Sequence, residues 1–135
     1  MSRIKQIIAI VANILWIGLT FYLMVKPNKD EPPLFVGADK IAHAAVFAIM
    51  VILLNLMIKG VTTLHKSAIN VISILAVTAF GSAMEVVQHE FFQRSCDFYD
   101  LVADFCGAIL GAILFPMTYK VIHKWSLCLF KNSYL

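Results

Sequence analysis

Hydrophobic residues run along this chain in four long blocks, and the polar residues gather between them. Ile7 to Val25 carries no charge at all. The next fifteen residues, "KPNKDEPPLFVGADK", hold Pro27, Pro32, Pro33 and Gly37, which break any helix there. Ile41 to Ile58 is a second apolar run. "KGVTTLHK" is a short turn, and Ser67 to Met84 is a third run that ends on Glu85. The fourth, Phe105 to Tyr119, is 15 residues, short of the roughly 20 that cross a bilayer. To span, it must take in the residues before it, Asp100 and Asp104 included, with Lys120 snorkelling at the far end. The pattern predicts helices over 6–25, 40–58, 67–88 and 98–120. The fold class is therefore all-α: a polytopic four-transmembrane-helix bundle in one domain, residues 1–135. Arg3 and Lys5 precede the first run as in a signal peptide. The run is long for one and no A-x-A site follows, so an uncleaved first span is expected.

Composition supports a bilayer as the solvent. Of the 135 residues, 61% are hydrophobic and 14% charged, with mean hydropathy +0.84, far from the balance of a soluble domain. The net charge of +3 is scattered, with neither a basic stripe nor a nucleic-acid motif, so nucleic acid is not an expected partner. The bases instead set orientation. Arg3, Lys5, Lys59, Lys66, Lys120, Lys124 and Lys131 fall on the side of the termini, against Lys26, Lys29, Lys40 and Arg94 on the other. The positive-inside rule puts both termini in the cytoplasm. All eight acids then fall on the outer side. Cys96, Cys106 and Cys128 form no CxxC pair. The last two are expected as small core or lipid-facing residues, and Cys96 as a free surface thiol.

Each outer helix end carries polar residues at helical spacing. Asp39 and His43 are four apart. Gly81, Glu85 and Gln88 step by four and three, and His89 follows Glu85 by four. Asp97, Asp100, Asp104, Gly107 and Gly111 step by three, four, three and four. Such steps fall on one face. Gly107 and Gly111 make a GxxxG pair, which admits a close neighbour and would draw the outer polar groups together. Asp104 lies about six residues, or ~9 Å, inside the fourth span. A carboxylate at mid-bilayer depth costs about 2.5–3.5 kcal/mol, so Asp104 is expected inside the bundle beside Arg94, Lys40 or His43. The acids thus read as walls of one polar pocket. Plainer readings stand beside this one: Asp39 and Asp97 as helix N-caps, Arg94 as a clamp on two carboxylates, Glu90 as a solvated charge, His65 and His123 as interfacial. A divalent metal would find its ligand types in His43, Glu85, His89, Asp100 and Asp104. There is no HExxH and these groups are spread over three helices, so neither a metal nor a cofactor is expected.

Three segments together resemble the VanZ-like family of small bacterial membrane proteins: "DKIAHAAVF" opening the second span, "EVVQ" closing the third, and "RSCDFYDLVADFCGAILG" leading into the fourth. The resemblance covers roughly 35–118 and singles out Asp39, Lys40, His43, Glu85, Gln88, Arg94, Asp97, Asp100, Asp104 and Gly107. The family pattern has Asn where this chain has Asp104, an ionisable group in place of an amide. The resemblance implies a multi-pass protein of the bacterial cytoplasmic membrane. The family's namesake is associated with low-level resistance to teicoplanin, a glycopeptide antibiotic.

Three functions follow as expectations. The pocket can bind an envelope lipid headgroup, a cell-wall precursor or a glycopeptide, with Asp39, Lys40, Gln88, Arg94, Asp97 and Asp104 as contacts. It can belong to an enzyme acting on such a headgroup, with His43, Glu85 and Asp100 as candidate catalytic groups. Or the network can serve only to lock the helices and dock a partner. Membrane lipids are the expected partners in each case.

Overall fold

The computed structural model describes residues 3–25, 35–92 and 97–131. Four helices follow one another: α1 (Arg3–Val25), α2 (Ala38–Val61), α3 (Lys66–Phe92) and α4 (Phe98–Lys131). There is no strand among the described residues. All four helices are long and apolar enough to cross a membrane. Large apolar side chains such as Ile7, Leu15, Leu75, Ile113 and Met117 stand exposed along the outer faces. For a helix in lipid this is the ordinary state, because the tails are as apolar as the side chains.

The helices run up, down, up, down. Gln6 Nε2 donates to the Gly60 carbonyl at 2.6 Å, and Trp16 Nε1 to that of Val46 at 3.1 Å, which sets α1 antiparallel to α2. Gln88 Nε2 donates to the Met24 carbonyl at 2.6 Å and ties the end of α3 to the end of α1. α2 and α4 run parallel and share the most extensive contact in the bundle. Two glycines explain it. A Cβ added at Gly107 would meet the Ala44 backbone, with Cα at 2.7 Å, and one at Gly111 would lie 2.9 Å from Ala48 Cα. No side chain fits in either gap, so the expected GxxxG approach is real and its partner is an alanine pair one turn apart on α2. The buried core lies inside this frame: Met24, Phe47, Met50, Val51, Val77, Met84, Ala108 and Ala112. At the opposite end from the acids, Asn55 Nδ2 donates to Asn70 Oδ1 at 2.9 Å between α2 and α3.

All four helices outrun their expected bounds, α1 and α2 by only two or three residues at an end. α3 continues to Phe92, which takes His89 and Glu90 into regular helix, and α4 continues to Lys131. Charged residues end a hydropathy window, but they do not end a helix, which continues into the interface with its backbone still hydrogen-bonded.

Candidate functional site

The polar site is built from three helix ends that the topology brings to one pole of the bundle. α2 starts abruptly because Gly37 adopts a left-handed conformation, φ 84°, as its N-cap, a region open to glycine at little cost. This corrects the expectation that Asp39 caps α2. Asp39 sits inside the first turn and Gly37 makes no side-chain cap. Asp39, Lys40 and His43 then project from the first two turns. The other cap is as expected. Asp97 Oδ1 accepts the Tyr99 backbone N–H at 2.9 Å, which satisfies one of the free donors at the start of α4.

Lys40 is the hub between α2 and α4. Its ammonium lies 3.0 Å from Asp39 Oδ2 and 2.5 Å from Asp100 Oδ1, and it also donates to Asp97 Oδ2. Three N–H donors thus meet three carboxylates. The Lys40 ammonium beside Asp97 holds that carboxyl below its ordinary range. One turn deeper, His43 Nδ1 and Asp104 Oδ1 are 2.9 Å apart. Asp104 is fully buried, and of the expected partners among the described residues it pairs with His43 and not with Lys40. The other carboxylate oxygen, Oδ2, has no hydrogen-bond partner among the described residues. It faces Gly81 of α3, where a Cβ would come within 2.7 Å of it. Glycine at 81 makes the room that this carboxylate occupies. The His43 ring lies parallel to Phe47, with centroids 6.4 Å apart.

α3 closes the arrangement. Glu85 is buried, and its Oε2 accepts the Asp97 backbone N–H at 3.3 Å, joining α3 to the start of α4. Its Oε1 has no partner among the described residues. Eight of the nine residues named from the sequence as contacts or candidate catalytic groups therefore gather at this pole: Asp39, Lys40, His43, Glu85, Gln88, Asp97, Asp100 and Asp104. Gly107 provides the close approach beneath them. Arg94 and Cys96 lie outside the described residues. His89 and Glu90 are exposed and face away, as are His65 and His123 near the opposite pole, and Cys106 is exposed on the flank of α4. Among the described residues no three His, Cys, Asp or Glu side chains converge as a metal ligand set.

Beside the network a cleft of about 300 Å³ opens between α1, α2 and α3. Its polar wall is Thr20, Asp39, His43 and Gln88. Its apolar wall is Leu23, Met24, Ala42, Val46 and Phe47. Thr20 and the Met24 carbonyl come from α1, which carries no motif. The one signal for them in the sequence was that Asn13 and Thr20, seven apart, are polar residues inside an apolar run, and both are buried.

The comparisons come to one match. The family model described as VanZ/LLP1 matches residues 4–121. No curated protein and no solved structure matches the chain. That match takes in all four spans and every residue of the described polar site, so the chain belongs to the VanZ/LLP1 family.

Proposed function

We propose that this VanZ-family membrane protein binds a polar molecule of the bacterial envelope in the cleft beside Lys40 and His43. The candidates are a lipid headgroup, a cell-wall precursor or a glycopeptide, the last of which would bear on teicoplanin resistance. The observation that carries the reading is a largely apolar cleft of about 300 Å³ with a polar edge, set against a prearranged charge network. A site of that size and lining suits a small polar group on an apolar body. The excess of basic residues at the other pole supports a cytoplasmic location for both termini, which puts the cleft on the outer face. Reporter fusions to either terminus are then expected to read cytoplasmic.

The test is the melting temperature of the purified chain, wild type beside His43→Gln, against a panel of envelope lipids, polyprenyl phosphates, sugar phosphates and glycopeptides. A ligand at a hundredfold its Kd stabilises by about 2.7 kcal/mol, several degrees for a chain of this size. Stabilisation of the wild type that His43→Gln abolishes is the expected result. A flat panel, with the variant merely less stable, would move the network to the role of helix glue.

One observation favours a second reading. A buried carboxylate on His43 Nδ1 is the arrangement that fixes an imidazole tautomer for general-base work at Nε2. In an enzyme built on it, Glu85 and Asp100 are the acid partners nearby. Turnover of a stabilising lipid that is lost in Glu85→Gln and His43→Gln would establish this reading, and recovery of the lipid unchanged would exclude it.

A further inference from the structure

The pole opposite the polar site carries bases and no acidic side chain. All eight acidic residues of the chain lie at the pole of the polar site or in connectors that begin and end there. At the other pole stand Arg3 of α1, Lys59 of α2, Lys66 of α3, and Lys120 and Lys124 of α4, each of them exposed. Lys59 Nζ sits 4.8 Å from the centre of the Tyr119 ring. That ring holds the ammonium in place without neutralising it and sets the level of α4 against the end of α2.

These bases continue the lipid-facing sides of their helices. On α4, Leu110, Ile113 and Met117 are exposed, and Lys120 and Lys124 follow them at the same alternating steps of three and four. On α1, Ile7, Val11 and Ile14 are exposed, and Arg3 precedes Ile7 by four. Exposed apolar residues are interleaved with the bases: Ile4, Val61, Leu64 and Val121. A long basic side chain at the end of a lipid-facing stripe keeps its stem in hydrocarbon and its charge among the headgroups. The bases also surround the bundle. Among the described residues α1 and α4 each pack against α2 and α3 and not against one another, which puts them on opposite sides. A protein partner docks on one face, whereas lipid meets every side at once.

We infer that this pole binds the anionic phospholipid headgroups of the leaflet around it, through Arg3, Lys59, Lys66, Lys120 and Lys124. The headgroup phosphates supply a counter-charge that no acidic side chain of the chain provides there. The cleft lies at the other pole, so this inference stands or falls independently of the binding reading above.

The full chain in maltoside micelles is melted with increasing mole fractions of dioleoylphosphatidylglycerol, or of dioleoylphosphatidylcholine, which has the same chains and phosphate but no net charge. Parallel arms replace the lipid by inorganic phosphate or by soluble polyglutamate. Phosphatidylglycerol alone is expected to stabilise the wild type saturably. The effect is expected to shrink as salt rises from about 0.1 M to about 1 M, where the Debye length falls from about 10 Å to about 3 Å. Each base near an anionic surface is worth about fivefold in affinity, so Lys120→Gln with Lys124→Gln is expected to weaken binding on the order of tenfold or more. Its melting temperature in phosphatidylcholine is expected to stay that of the wild type. Lys120→Arg with Lys124→Arg keeps the charge and is expected to keep the affinity. Arg3→Gln with Lys59→Gln repeats the test with α1 and α2 if the first pair melts early. Equal stabilisation by the two lipids, or equal affinity of the wild type and the glutamine variants, would overturn the assignment. Polyglutamate that matches or exceeds phosphatidylglycerol would transfer the surface to an acidic protein partner, and inorganic phosphate that does so would mark a free-anion effect. Either would overturn the lipid assignment, as would the lack of a shift in every arm.

Discussion

Lys40 shows how much of the site rests on one side chain. One ammonium serves Asp39, Asp97 and Asp100 from two helices, and its removal leaves carboxylates facing one another with no counter-charge. Removing one member of a hydrogen-bonded charge pair costs about 1.5–3 kcal/mol when partly buried, so Lys40→Met is expected to lower the melting temperature at neutral pH. The pH dependence gives a sharper signature. The Asp97 carboxyl is held below its ordinary 3.8 by the Lys40 ammonium. A carboxyl with a depressed folded pKa adds stability above its unfolded value and loses it as pH falls through the folded one. The wild type is therefore expected to lose stability as pH drops below about 4, while Lys40→Met gains by neutralising its unpaired acids. Melting curves from pH 7 to pH 3 check this, and parallel slopes for the two proteins would contradict it. At this scale the sequence was partly legible. Its spacing placed the acids on common faces, and Asp97 read correctly as a cap. That Lys40 is saturated, and that Asp104 pairs with His43, depends on the mutual height of α2 and α4, which spacing within one helix does not encode.

Between elements, the decisive contact is the parallel seam of Gly107 and Gly111 against Ala44 and Ala48. With lipid on the outside, association gains little from hydrophobic burial and depends on close packing and interhelical hydrogen bonds. Gly107→Ala would drive a methyl into the α2 backbone, which has no side chain to move aside. A loss of about 1–3 kcal/mol or more is expected, with disruption of the His43–Asp104 pair above it. Gly18→Ala is the control, because nothing lies within 4 Å of the added carbon. That change is expected to be neutral or stabilising by up to about 1 kcal/mol. Unfolding in detergent mixtures compares the two, and equal effects would mean that the seam does not hold the bundle. The GxxxG pair was visible in the sequence, but its Ala44–Ala48 partner was not, because alanines are common in any apolar span. Helix lengths were underestimated for a different reason. Hydropathy measures the thickness of the bilayer, and α3 and α4 continue beyond it.

Over the whole molecule, polarity is arranged by height. One pole carries the charge network, the middle is an apolar core, and the Asn55–Asn70 pair joins α2 to α3 towards the other pole. Class, span number and the pole of the acids were all legible, because a bilayer forces charges out of long apolar runs. The position of the cleft was not. It depends on α1 lying against both α2 and α3, through contacts made by a backbone carbonyl and a tryptophan rather than by charges. The central claim is that this pole is a binding site and not only a lock between helices. Native mass spectrometry of the chain released from bacterial lipid nanodiscs tests it most directly, with wild type beside His43→Gln. The wild type is expected to retain one adduct of defined mass, which His43→Gln loses while its helix content stays intact. The same adducts on both proteins, or none on either, would contradict it.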